Sequence, residues 1–242
     1  DATDQATLDR TLLELDGTAN KSRLGGNATV ATSIAALNLA AAHARQPLWR
    51  YLSQGRTVRM PLPQIQILGG GAHAGGRIDV QDLMVMPIGA RNFDMALCWV
   101  ANVYRAAGDL LAKKNRLAGV ADEGGWWPMF DSNEEAIQTL TQAIEHAGYS
   151  RDQVAIALDM AASQFGANGR YKVKLDQREY TREQWLEVLL GWIHRYPIVS
   201  IEDPFAEDDP EGMQAITRAV GDRVQIVGDD FLVTNAERIH SA

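Results

Sequence analysis

The chain has 242 residues, 46% hydrophobic and 22% charged, enough to bury a sizeable core in one large domain or one and a half. A formal net charge of -8 and an isoelectric point near 5.1 supply none of the clustered lysine and arginine that phosphate backbones or anionic lipid demand, so nucleic acid and membrane surfaces fall away as leading partners. No apolar run approaches the roughly 20 residues of a membrane helix, the opening DATDQATLDR is not a signal peptide, and the chain starts without methionine, as a piece of a longer product would.

In chain order, the first 55 residues read as helical. NATVATSIAALNLAAAHA is alanine-rich and free of proline, and QPLWRYLSQG reads as a short helix closed by Gly55. Prolines and then glycines punctuate RMPLPQIQILGGGAHAGG, which puts a domain boundary near 57 to 62 and divides the chain into residues 1–58 and 59–242. VQDLMVMPIG is strand-like. Residues 92–115 read as a helix, with Trp99, Val103, Ala106 and Leu110 at helical spacing. The single cysteine, Cys98, lies in the apolar run MALCWVANV; it is expected to be a packed thiol, and a reducing, cytoplasmic setting fits.

Ser132 with Glu135 three residues on is a capping-box pattern for a helix running through Ile137, Leu140 and Ile144 to Gly148. Three apolar runs follow, VAIALDM, PIVSIEDP and VQIVGDD. Between the first two lies a helix over 181–195, capped by Thr181, with Trp185, Val188, Leu189 and Trp192 on one face. Strand alternating with helix is a parallel α/β plan.

Each of those runs ends in acid: Asp159, Glu202 and Asp229. The carboxyl ends of parallel strands share one face, so the three carboxylates should converge. Like charges that close do not ionise together unless a cation sits among them, and hard oxygen ligands suit Mg²⁺. Taken singly, any of the three serves equally well as a helix cap or a solvated acid; three in register favour the metal. The acids are 43 and 27 residues apart, which fits successive strand-helix-strand units of about 30 residues with an excursion after Asp159. That excursion, FGANGRYKVKLDQREYT, reads as a hairpin turning at Asn168-Gly169, with Lys172 and Lys174 facing solvent. His43, His146, His194 and His240 fall in or beside helices, where surface or capping roles are expected.

The strings LDGTANKSRLGGNA, DEGG, DMAASQF, SIEDPF and VGDD, in this order along the chain, resemble the enolase family nearly end to end. The resemblance implies an α/β fold: an enolase-type β/α barrel, present in part, preceded by the helical part of an α+β capping domain. It also implies Mg²⁺-dependent dehydration of 2-phosphoglycerate to phosphoenolpyruvate, a small phosphorylated carboxylate as substrate, and a homodimer or higher homo-oligomer. By residue matching, Asp159, Glu202 and Asp229 correspond to ligands of the tightly held metal, Glu123 to the acid that helps the hydroxyl leave, and His73 and Gln81 to substrate-contacting residues.

The match has departures. Where the family carries glutamate beside the substrate-binding glutamine, this chain has Asp82, one methylene shorter, which the resemblance pairs with Glu123 at the leaving hydroxyl. The family's Asn-Gly-Gly is Gly69-Gly70-Gly71, and its Phe-Ala-Pro after DEGG is Trp126-Trp127-Pro128. The chain ends at Ala242, before the strands expected to supply a base lysine and the phosphate ligands, so it is expected to be incompetent for catalysis alone. Two other readings therefore stand beside the first: an enzyme of the same fold acting on a related phosphonocarboxylate, of the carboxyphosphonoenolpyruvate synthase type, and a non-catalytic enolase-like interaction protein.

Overall fold

A computed structural model describes residues 3–242, which divide into two compact units, one up to Met60 and one from Pro61 onward. The first unit is helical: α1 (Gln5–Asp16), α2 (Gly26–His43) and α3 (Leu48–Ser53). Asp4 caps α1 by accepting the backbone N–H of Thr7 at 3.1 Å, and Gln5 donates to Ser33 Oγ at 2.7 Å, fastening α1 to α2. The buried Asp16 organises the loop DGTANKSRL. It accepts the N–H groups of Thr18 at 3.0 Å and Leu24 at 2.7 Å, so one carboxylate closes an eight-residue excursion.

The second unit is built on a seven-stranded sheet. Its strands, in chain order, are β1 (Ile65–Gly69), β2 (Asp82–Met86), β3 (Leu117–Val120), β4 (Trp126–Pro128), β5 (Ala155–Asp159), β9 (Ile198–Glu202) and β10 (Gln225–Val227). A separate three-stranded meander holds β6 (Gly166–Ala167), β7 (Arg170–Val173) and β8 (Arg178–Thr181). The order across the large sheet is β10-β9-β5-β2-β1-β4-β3. The three acid-ended runs are neighbours and parallel, as alternation with helices requires. Strand β2 runs antiparallel to both neighbours, β1 and β5, which its apolar sequence alone does not reveal. The consequence is functional: the amino end of β2, not its carboxyl end, reaches the rim where β5 and β9 finish.

The helices cover the sheet for local reasons. Helix α4 (Phe93–Lys113) is capped by Asn92 and buries Ala96, Trp99, Val100, Val103 and Ala107. Cys98 was expected to pack; it is exposed instead, because positions 96, 99, 100 and 103 set the inner stripe and 98 falls on the opposite side of the turn. Helix α5 (Asn133–His146) starts at Ser132, whose hydroxyl accepts Glu135 N–H at 3.2 Å. The Glu135 carboxylate returns to Asp131 N–H, one residue before the cap, so the expected box closes only in part. Helix α6 (Arg182–Arg195) carries the full box between Thr181 and Gln184. Helices α7 (Pro210–Val220) and α8 (Ala236–Ser241) follow β9 and β10.

The meander is fixed to the segment after β9 by aromatic packing. Trp185 lies against Phe165, Tyr171 and Trp192, and its indole N–H donates to Pro204 O at 2.8 Å. Tyr171 donates its hydroxyl proton to the buried Asp209 at 2.7 Å, and Asp209 also caps α7 and meets Arg182 at 2.7 Å. Lys172 and Lys174 are exposed along the alternating strand. No helix among the described residues is long and apolar enough to cross a membrane.

Candidate active site

Strand register builds the site. Gly69 pairs with Asp82, Asp82 with Asp159, Asp159 with Glu202, and Glu202 with Val227, so five strands contribute to a single rung at one edge of the sheet. Residues on one rung point to the same face, and neighbouring strands lie about 4.8 Å apart. Asp82, Asp159 and Glu202 are thus a row of three carboxylates. Strand β5 is buried along its whole length, and Asp159 is only 8% exposed.

The row is electrostatically expensive. Burial, joined by the charge of Glu202, pushes Asp159 up to about 8. Burial, joined by Asp203, Asp229 and Asp82, pushes Glu202 up to about 7, and burial with Glu123 nearby pushes Asp82 up to about 6. Among the described residues no ion pair joins a lysine or arginine to any of the three. Oxygens of Asp159, Glu202 and Asp203 lie within 4.8 Å of one another. An uncompensated, hard-oxygen, half-buried set of this kind fits a divalent cation such as Mg²⁺.

Asp203 is a residue that sequence reasoning passed over, although it stands beside Glu202. Its backbone adopts a φ of 38°, and its carboxylate accepts the N–H groups of Asp229 at 3.2 Å, Asp230 at 2.8 Å and Phe231 at 3.2 Å. It clasps the turn after β10. Asp229 itself is exposed, two residues past the strand end, and lies outside the close carboxylate group, although Glu202 feels its charge. A non-glycine residue at positive φ between two site acids is strain that three hydrogen bonds offset.

Gln81 donates to Asp159 Oδ2 at 3.1 Å, while the other Asp159 oxygen accepts Ala161 N–H at 2.9 Å. Gln164 ties the row to the preceding loop, donating to Gln81 Oε1 and accepting Ala72 N–H at 3.0 Å. That loop is a 3₁₀ turn, Gly71–Ala74, which carries His73. His73 Nε2 stands 3.6 Å from Glu123 Oε1, both side chains about two-fifths exposed. Glu123 sits on the turn between β3 and β4, closed by Ala121 N–H to Gly125 O at 2.8 Å and braced by Tyr104, which donates to Gly124 O at 2.9 Å.

Gln66, on β1, is the second residue that sequence reasoning missed. Its amide nitrogen donates to Asp82 Oδ1 and, at 2.8 Å, to Glu123 Oε2, and its carbonyl oxygen accepts Gly125 N–H at 2.7 Å. Two glycines make the room: a Cβ on Gly125 would meet Gln66 Oε1 at 2.5 Å, and one on Gly69 would meet Ala121 at 2.5 Å and Gln66 at 3.3 Å. The available signal was a lone amide inside the apolar string IQIL with glycine three residues on.

The two tryptophans diverge along β4. Trp126 turns to α4, stacking on Tyr104 at 4.6 Å and donating to its carbonyl at 2.7 Å. Trp127 turns to the His73 loop, where it lies against Gly75 and under the guanidinium of Arg77, 4.7 Å from the ring centroid.

Residues 57–242 match the family model described as enolase, C-terminal TIM barrel domain, and residues 1–52 match the one described as enolase, N-terminal domain.

Proposed function

The chain belongs to the enolase family, and on that premise we propose that it performs Mg²⁺-dependent dehydration of 2-phosphoglycerate to phosphoenolpyruvate, as in glycolysis. The observation that carries this reading is the rung Asp82–Asp159–Glu202 joined to Glu123 through one amide. Asp159 and Glu202 would hold the metal. Asp229 would serve as third ligand, its turn held by the Asp203 clasp. Bound there, Mg²⁺ supplies positive charge for the enolate that forms when a proton leaves carbon beside an ionised carboxylate.

The chain's own groups divide the remaining work. Glu123 gives a proton to the departing hydroxyl, which leaves as water, and Asp82 orients that hydroxyl from the other side of Gln66. His73 and Gln81 position the substrate, each already fixed by a neighbour: His73 faces Glu123, and Gln81 is held between Asp159 and Gln164. The proton from carbon goes to a base outside this row; Lys172 and Lys174, exposed on the meander, do not supply it. On this reading the protein works in the cytoplasm as a homo-oligomer on a small phosphorylated carboxylate.

One observation favours the second substrate class. Trp127 and Arg77 add an aromatic wall and a cation beside the His73 loop, a combination suited to an extra anionic group such as a phosphonocarboxylate's. Phosphorus NMR of the complete protein with Mg²⁺ and 2-phosphoglycerate separates the two readings. Conversion to phosphoenolpyruvate is expected. An unchanged substrate signal would remove this dehydration from consideration.

A further inference from the structure

Asp82 and Gln66 lie on adjacent strands, β2 and β1, Asp82 opposite Gly69 and Gln66 opposite Met84, and their side chains meet in a hydrogen bond. The Asp82 carboxylate already touches the Gln66 amide, and that amide is committed on its other side to Glu123 at 2.8 Å. Its oxygen is committed to Gly125 at 2.7 Å. Gln66 therefore uses both N–H donors and its acceptor at once, which fixes the amide plane and leaves no rotamer freedom to absorb a longer acid. Gly69 and Gly125 line the same space, and the amide cannot retreat without losing the Gly125 bond.

We propose that Gln66 is a positioning residue for the Asp82–Glu123 acid pair, length-matched to Asp82 so that one long amide and one short acid together span the gap between β1 and β2. The inference deepens the dehydratase reading and rests on it for the role of the two acids, but not for the length match itself. The short acid is not a defect in the site. Asp82→Glu alone pushes the carboxylate into Gln66, and Gln66→Asn alone withdraws the amide from both acids; making both changes moves the same methylene from one partner to the other and keeps the span.

The test is a double-mutant cycle in the complete protein: Gln66→Asn, Asp82→Glu and the pair. Each single change is expected to lower the melting temperature by about 2–4 °C, with the pair losing clearly less than the sum of the two, because it restores the contact at position 82 but not those to Glu123 and Gly125. In turnover of 2-phosphoglycerate, each single change lowers kcat about tenfold to a hundredfold while KM stays within about threefold, because an acid displaced by about 1 Å loses chemistry before binding. The pair recovers part of kcat, the share owed to the acid at position 82. Additive losses in melting temperature overturn the length match. That readout needs no reaction, so a protein that leaves 2-phosphoglycerate untouched refutes the proposed function while the cycle still decides this inference. A paired variant that closes the cycle in melting temperature yet stays as slow as the product of the single losses overturns the positioning role.

Discussion

Substituting Glu202→Gln is expected to weaken Mg²⁺ binding at least about a hundredfold, close to 2.7 kcal/mol, measured by calorimetry on the complete protein. Glu202 is the middle of the charge cluster: it pairs with Asp159 in the strand register and feels Asp203, Asp229 and Asp82. Its amide replacement keeps shape and removes one full negative charge from a site built of hard oxygen donors. The fold should tolerate the change, since burial and like-charged neighbours already penalise the ionised form. Unchanged affinity in a folded variant would show that the metal is held elsewhere.

The second large effect is on chemistry. Glu123→Gln is expected to lower kcat for 2-phosphoglycerate by about 10²–10⁴ with little change in KM, because an amide keeps the contacts but cannot deliver a proton to the leaving hydroxyl. The hydrogen bond from Gln66 and the approach of His73 explain why KM should hold: the side chain at 123 is placed by its neighbours and contributes geometry as well as a proton. A kcat within about threefold of the parent would remove Glu123 from the acid's role.

What was legible beforehand follows physical lines. Helices were readable wherever local chemistry decides them, as at the cap residue Thr181, and at Ser132 with Glu135. Strand-end acids stood out because an apolar run ending in charge is costly unless the end reaches a site. Asp159 and Glu202 do lie on one rung. Direction was not readable for β2, because a strand buried on both faces looks the same in either sense; only its pairing with β1 and β5 reveals that Asp82 enters the row from the amino end. Cys98 was misjudged because an apolar neighbourhood in sequence is not a neighbourhood on a helix face. Gln66 and Asp203 were missed for a shared reason. Each acts through partners far along the chain, 16 to 59 residues away for Gln66 and 26 to 28 for Asp203, and their residue types carry no signature of that work.

We propose that the carboxylate row is a metal site held in check by protons when no metal is bound. With Asp159 pushed up to about 8 and Glu202 to about 7, the metal-free row retains protons at pH 7 that Mg²⁺ must displace, so affinity rises as pH climbs through about 6 to 8. The direct measurement is Mg²⁺ calorimetry at pH 7 in two buffers of different ionisation enthalpy, which counts the protons released. Release of between about one and two protons per Mg²⁺ bound is expected in the parent protein, falling toward zero at pH 9. Binding at pH 7 without proton release would contradict it.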